Sequence, residues 1–87
     1  MHVIIAYDIS NERLPKVYRI MKQYLNWIQN SAFEGNLSAG QLEELRLKIY
    51  KVIDPLTDCI VVFTMENPKW LERNTWGREK GLTESII

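Results

Sequence analysis

The stretch MHVIIAYDIS, residues 1–10, predicts a β-strand that ends on a charged residue. Apolar side chains fill positions 3–7, and Asp8 follows them with no Gly or Pro beside it to mark an ordinary turn. Because side chains alternate along a strand, Asp8 is expected on the same sheet face as Ile4 and Ala6. The strand therefore places a carboxylate at the rim of an apolar face.

Length and composition indicate one folded domain, residues 1–87. The 11 Lys and Arg residues balance the 11 Asp and Glu residues, so bulk attraction to nucleic acid or to an anionic membrane is not indicated. No segment reaches the roughly 20 apolar residues of a membrane helix, and Asp8 interrupts the apolar start too early for a signal peptide. A cytoplasmic protein without a membrane partner is expected.

Apolar residues at spacings of three and four predict two amphipathic helices. The first begins near Leu14, where Pro15 suits the first helical turn. The second begins at Ser38, because Gln41 follows at the spacing of a capping box, and Pro55 ends it.

Runs of β-branched and aromatic residues predict the strands between and after these helices. The predicted strands are WIQNSAFEG (27–35), DCIVVFTM (58–65), residues 70–76, and a short fifth strand TESII (83–87). Alternation of these elements with two helices indicates an α+β fold of the ferredoxin-like type, with an antiparallel sheet and both helices on one face.

The first strand and the strand at 58–65 carry apolar residues on both faces, which is typical of strands covered on both sides. Two short helices cover one face only. A second identical chain, related by a two-fold axis, is expected to cover the other. The alternative is that the C-terminal tail folds over that face.

In such a dimer the two copies of Asp8 would approach each other across the axis. Two close carboxylates repel, so that one is protonated or a cation lies between them. Mg²⁺ suits this position, because it prefers oxygen ligands and binds through one or two carboxylates while keeping several waters. The alternative is an Asp8 that only bonds backbone N–H groups or caps the next helix.

The first helix and the turn before it carry a basic ridge of Arg13, Lys16, Arg19 and Lys22. Contact with the phosphates of a nucleic acid is one use for such a ridge, and a solvated helix face is the other. The aromatic residues Tyr7, Trp27 and Phe33 could stack on bases, or they could belong to the core.

Four motifs make the chain resemble the family of CRISPR-associated protein 2, the small subunit of the CRISPR adaptation complex. They are Tyr7-Asp8-Ile9 at the end of the first strand, the basic segment 13–17, WIQNSAFEG at 27–35, and TESII at 83–87. The nine-residue segment is the most specific of them. Together the motifs span nearly the whole chain in the family's order.

The resemblance implies a ferredoxin-like homodimer whose sheets face each other, with residues 66–87 packing on the partner subunit. It also implies that Asp8 and its copy in the other chain bind Mg²⁺, or Mn²⁺ in its place.

Two different activities follow from the resemblance. One is a metal-dependent endonuclease acting on RNA or double-stranded DNA. The other is a non-catalytic scaffold that binds duplex DNA and bridges subunits of the CRISPR integrase. A third hypothesis, from another class, is a regulatory domain that binds a small molecule; its expected mark, a Gly-rich loop, is not found.

The candidate site residues divide by role. Asp8 is the catalytic and metal-binding candidate; Arg13, Lys16 and Arg19 are the nucleic-acid contacts; Tyr7, Ser10 and Phe33 are neighbours that help to place substrate.

Two positions depart from the family pattern. Trp27 stands where many relatives have an arginine, and Arg13 is followed by Leu14 and Pro15 instead of a second arginine. The reduced positive charge favours a role that depends on a partner, or a weak nuclease.

Overall fold

The structure, a computed structural model, describes residues 1–66 and 71–78. The elements follow in the order β1 (His2–Asp8), a 3-10 turn (Asn11–Arg13), α1 (Leu14–Lys22), β2 (Asn26–Gln29), β3 (Ala32–Asn36), α2 (Ala39–Tyr50), β4 (Cys59–Met65) and β5 (Leu71–Gly77). Neither α-helix in the described part of the chain has the length and apolar character needed to cross a membrane.

The five strands form a single sheet in the spatial order β2-β3-β1-β4-β5, and every neighbouring pair is antiparallel. The run from β1 to β4 has the succession β-α-β-β-α-β of a ferredoxin-like fold. β5 extends this sheet at the free edge of β4. The predicted α+β, ferredoxin-like class is therefore confirmed.

The prediction of a single strand at 27–35 is wrong, because this segment is a hairpin made of β2 and β3. Asn30 has a φ of 45°, a left-handed conformation that Asn tolerates better than most residues. A register shift between Trp27 and Gln29 makes β2 irregular at the same place. Polar residues inside the motif thus mark a turn.

Both helices pack on the sheet face that carries Val3, Ile5 and Tyr7, and this layer holds the main core. Burial of these apolar side chains is the main stabilising contribution in a chain of this size. The buried members of the core are Val3, Ile5, Tyr7, Ile9, Val17, Met21, Leu25, Phe33, Leu37, Leu45, Ile49, Ile53, Ile60, Val62 and Trp76.

The capping box predicted at Ser38 is present at the start of α2. Ser38 Oγ accepts a hydrogen bond from the backbone N–H of Gln41 at 3.1 Å, and the Gln41 side chain accepts from the Ser38 N–H at 2.9 Å. These two bonds satisfy backbone donors that the first helical turn would otherwise leave open. The helix ends at Tyr50, before the predicted stop at Pro55.

The second sheet face is also apolar, as the alternation predicts. Ile4 pairs with Phe63 and Ala6 with Val61 across β1 and β4, so that these four side chains share the face. Ala6 and Val61 are buried, whereas Ile4 and Phe63 are half-buried. Neither of the described helices covers this face, since both pack on the opposite one.

The strand predicted at 70–76 is confirmed over the described residues 71–76 by β5, which pairs with β4 of the same chain. The short strand predicted at 83–87 lies outside the described residues. Packing of residues 66–87 on a partner subunit stays a prediction.

Gly77, at the end of β5, offers a test of how tightly this end of the sheet is built. Its φ is +88°, and a Cβ there would collide with the carbonyl oxygen of Asp58. We expect Gly77→Ala to lower the free energy of unfolding by about 1–3 kcal/mol in urea denaturation, because both conformation and space exclude a side chain.

Gly40 supplies the matched control. It lies in α2, and the nearest atom to an added Cβ is Ser38 Oγ at 3.9 Å. Gly40→Ala should leave the stability unchanged or raise it, because alanine is the better helix former. Equal losses of stability in the two variants would contradict the conclusion that the backbone at Gly77 excludes a side chain.

Candidate metal and nucleic-acid site

Asp8 is the last residue of β1, and its carboxylate is exposed. Its register partner is Cys59, the first residue of β4, so that both side chains belong to the second sheet face. The sequence prediction that Asp8 shares a face with Ile4 and Ala6 is therefore confirmed by the sheet register.

Asp58, beside this position, accepts four hydrogen bonds. Oδ2 accepts from Arg13 Nε at 2.7 Å and from the backbone N–H of Asp54 at 2.9 Å. Oδ1 accepts from Arg13 Nη2 at 3.0 Å and from the backbone N–H of Ser10 at 3.2 Å. The residue is only 1% exposed. One carboxylate thus joins the connection after β1 to the connection before β4.

Burial of Asp58 opposes its ionisation, but hydrogen bonds from Arg13 and from the N–H groups of Asp54 and Ser10 outweigh burial. The pKa of Asp58 therefore lies below its ordinary value. The hydrogen bond to Asp58 in turn raises the pKa of the Arg13 guanidinium. Both groups are charged across the physiological pH range.

The pairing changes the role predicted for Arg13. Two of its nitrogens are used by Asp58, and Nη1 lies 3.4 Å from Glu12 Oε2. The side chain is 23% exposed. Because two carboxylates already neutralise the Arg13 guanidinium, it attracts a phosphate less strongly than a free arginine would. Its contacts with Asp58 instead hold the backbone near Asp8.

Ser10 takes part in the same connection through two groups. Its backbone N–H bonds Asp58, and its hydroxyl donates to Glu12 Oε1 at 2.6 Å. That side-chain hydrogen bond is the main cause of a lowered pKa for Glu12. Ser10 therefore helps to shape the loop after Asp8, and its part in placing substrate stays a prediction.

Phe33 and Tyr7 lie on the sheet face opposite to Asp8, and their part in placing substrate stays a prediction. Phe33 is fully buried on the helix side of the sheet, and Tyr7 is 8% exposed there. Their rings stack at 6.1 Å. Burial, and then the nearby Tyr18, raise the pKa of Tyr7. These aromatic residues support the sheet by packing.

Lys16 and Arg19 are exposed on α1, as their predicted role in nucleic-acid contact needs. The helix contains no acidic residue between Leu14 and Lys22. A row of cations without interspersed carboxylates gives this helix a local positive field in a chain with no net charge.

The donor set near Asp8 is small. Among residues 1–66 and 71–78, no three His, Cys, Asp or Glu side chains come together in an arrangement able to hold a metal ion. The described part of one chain therefore offers Asp8 as a candidate ligand without a complete cage around it. This set fits Mg²⁺, which takes one or two carboxylates and several waters, when a partner subunit adds a second Asp8.

Asp58 is the residue that sequence reasoning missed. It stands directly before the apolar run of β4, as Asp8 stands directly after that of β1. A charged residue next to an apolar strand is the sequence feature that could have pointed to Asp58, as it did to Asp8. Only the pairing of β1 with β4 brings Asp58 to Arg13, which is 45 residues away in sequence.

Comparisons with known proteins agree on one family. The family model described as CRISPR associated protein Cas2 matches residues 1–73. The chain is 40% identical over 81 residues to CRISPR-associated endoribonuclease Cas2 of Thermotoga maritima, which is 93% of each protein. It is 39% identical over 82 residues to CRISPR-associated endoribonuclease Cas2 2 of Archaeoglobus fulgidus, covering 94% of this chain and 89% of that one.

Solved structures agree with these matches. A crystal structure titled cas2 superposes with a TM-score of 0.74 at 36% identity, covering 100% of this chain and 98% of the other. The crystal structure of Streptococcus pyogenes Cas2 at pH 6.5 gives a TM-score of 0.69 at 25% identity, over 75% of this chain and 86% of that one.

The contact between Asp58 and Arg13 predicts a pH-dependent stability. Because the folded-state pKa of Asp58 is lowered, its contribution is complete above the unfolded value of about 3.9 and is lost as the pH falls toward the folded-state pKa. Asp58→Asn should lower the free energy of unfolding at pH 7 by about 2–3 kcal/mol. The difference from wild type should shrink below about pH 4, measured by urea denaturation at each pH.

Glu43→Gln is the matched control, since Glu43 pairs with Arg46 at 2.6 Å but on the exposed surface of α2. It should change stability little at either pH, because solvent screens such pairs. A loss at Asp58 no larger than the loss at Glu43 would show that burial adds nothing to the contact.

Proposed function

The chain belongs to the Cas2 family of CRISPR-associated proteins, and on that premise we propose that it acts in CRISPR adaptation as a Mg²⁺-dependent endonuclease. The reaction is hydrolysis of a phosphodiester bond in RNA or in double-stranded DNA. The name endoribonuclease, carried by the relatives of Thermotoga maritima and Archaeoglobus fulgidus, supports this reaction class. Its proposed location is the cytoplasm.

The observation that carries the proposal is an exposed carboxylate at the end of the central strand. Asp8 terminates β1, which pairs with β3 as far as Ala6 and with β4 as far as Asp8 itself, so that the strand leading to the carboxylate is fixed on both sides. Three further hydrogen bonds, from the Ser10 N–H and the Arg13 guanidinium to Asp58, hold the chain that follows. A fixed backbone reduces the cost of orienting a catalytic group.

A homodimer completes the proposed site. The second sheet face, which carries Ile4 and Phe63 half-buried, would pack on the same face of an identical chain. Asp8 lies on that face too, so that the two-fold axis would bring it toward the partner's Asp8. This arrangement supplies the second carboxylate that one chain lacks.

Mg²⁺, or Mn²⁺ in its place, would be held by Asp8 and the partner's Asp8. Such an ion polarises a phosphoryl oxygen and lowers the pKa of a bound water, which makes that water a better nucleophile. Lys16 and Arg19 lie on α1, on the other side of the sheet from Asp8, and bind phosphates farther along the nucleic acid. Ser10 and Arg13 hold the loop after Asp8 through their contacts with Asp58.

A scaffold that binds duplex DNA and the CRISPR integrase without cutting is the second candidate. Two observations favour it: residues 1–66 and 71–78 contain no group of three or more possible metal ligands, and Arg13 is occupied by Asp58 and Glu12. In this case the dimer and the basic surface of α1 carry the function, and Asp8 has no catalytic role. Packing of residues 66–87 on the partner subunit belongs to both candidates.

Replacement of Asp8 separates the two candidates. Asp8→Asn should remain folded and dimeric but lose Mg²⁺-dependent cleavage by about 100-fold or more, because an amide binds the ion poorly. Cleavage of labelled RNA and duplex DNA is measured with Mg²⁺, with Mn²⁺ and with a chelator. Glu72→Gln, at an exposed position of β5, removes a carboxylate outside the site and should cut like the wild type.

Persistent cleavage by Asp8→Asn would exclude this residue as the metal ligand. A wild-type protein that never cleaves, yet is required for spacer insertion with the integrase, would establish the scaffold.

The dimer has a separate test. Sedimentation at micromolar concentration should give twice the chain mass of 10.3 kDa. Ile4→Arg should yield a monomer, since it places a charge in the centre of the apolar face. Leu47→Arg is the control, because Leu47 is 51% exposed on α2, away from that face. A monomeric wild type, or a dimeric Ile4→Arg protein, would contradict the interface.

A further inference from the structure

We propose that Trp27 and Tyr18 form a stacking platform for the bases of a single-stranded nucleic acid. The platform lies on the helix side of the sheet, at the β2 edge, and not on the face of Asp8. The proposal rests on the nucleic-acid role given above and deepens it, because it assigns a second contact surface for the nucleic acid, separate from the face of Asp8.

The first observation is the exposure of two large rings. Trp27 is 50% exposed and Tyr18 is 38% exposed. Trp27 lies on β2, the edge strand of the sheet, while Tyr18 lies on α1. Exposing the flat apolar surface of a ring to water is unfavourable in free energy. Stacking with a base covers that surface and removes the unfavourable contribution.

The second observation is that the two rings adjoin the same buried residue. Trp27 is directly opposite Phe33 in the β2–β3 pair, so their side chains share the helix-side face. The ring of Tyr18 meets that of Phe33 edge-on at 5.5 Å and 60°. Phe33 is fully buried and stacks on Tyr7 from the other side. Tyr18 therefore rests on a buried aromatic ring, and Trp27 lies beside the same residue in the sheet.

The third observation is that the rings are already oriented. Trp27 Nε1 donates a hydrogen bond to the carbonyl oxygen of Asn30 at 3.0 Å, within the hairpin turn. This bond satisfies the polar edge of the indole and fixes its position, while the contact with Phe33 fixes Tyr18. A ligand that stacks on held rings loses less conformational entropy than one that must order them.

The fourth observation is the charge around the rings. Lys22 Nζ lies 5.9 Å from the centre of the Tyr18 ring, one helical turn further along α1. α1 contains no acidic residue. Aromatic faces next to cations match the alternation of bases and phosphates along one strand. Bases inside a duplex are stacked on each other, so they are closed to this platform.

The experiment measures binding without cleavage. Fluorescence anisotropy in the presence of a chelator compares a labelled single-stranded oligoribonucleotide of about ten residues with the duplex of the same sequence. Trp27→Leu should weaken single-strand binding about tenfold. Duplex binding should be unchanged. The dependence of binding on salt should also be unchanged, since no cation is removed.

Three further variants make the result specific. Trp27→Phe keeps an aromatic face and should retain most of the affinity. Tyr18→Leu removes the second ring from the other element and should again weaken single-strand binding. Tyr50→Leu is the matched control, because Tyr50 is 36% exposed on α2 with the Arg46 guanidinium 5.5 Å from its ring. It should bind like the wild type.

Several outcomes would overturn the proposal: unchanged single-strand binding by Trp27→Leu, equal weakening for the duplex, or equal loss in the Phe and Leu variants. A change in self-association by Trp27→Leu with unchanged binding would assign the rings to a protein interface instead. The outcome is separable from the endonuclease test, since Asp8→Asn is judged by cleavage with Mg²⁺ and the Trp27 variants by affinity without it.

Discussion

The hydrogen bonds accepted by the buried carboxylate of Asp58 hold together one end of the sheet, where β1 ends and β4 begins. This carboxylate is buried, it is charged, and it is satisfied by donors from two separate connections. A charge taken out of water is tolerated only when such partners replace the water. The carbonyl oxygen of Asp58 also accepts from the Arg78 N–H at 2.8 Å, and Gly77 keeps this approach open. The loop that follows Asp8 is thus fixed by tertiary contacts.

The alternation of β1 separates two surfaces that the sequence places side by side. Tyr7 packs with Phe33 under the helices, while the next residue, Asp8, emerges on the other face. Chemistry at a metal ion and stacking on aromatic rings would therefore occur on opposite sides of one thin layer. A strand of nucleic acid would have to pass round an edge of the sheet to use both, or each surface would serve a different ligand.

Local signals in the sequence were reliable where neighbouring residues decide the structure. The capping box at Ser38, the apolar strand β4 and the alternation of β1 all depend on residues a few positions apart. The prediction for the segment 27–35 was wrong, because its composition suits one strand but a turn at Asn30 divides it into two. The family resemblance carried by that segment was correct even though its local structure was not, since a motif identifies relatives without specifying its own backbone.

The sequence by itself determined the fold class, the family and the position of Asp8 at the end of an apolar strand. These follow from periodicity, alternation and motif order, which are properties of the chain alone. The tertiary structure decided which charged and aromatic side chains remain accessible to a ligand. It joined Arg13 to Asp58 and buried Phe33, whereas it left Trp27 and Tyr18 exposed. Burial and pairing depend on residues distant in sequence that meet only in the folded sheet, so no local pattern could assign them.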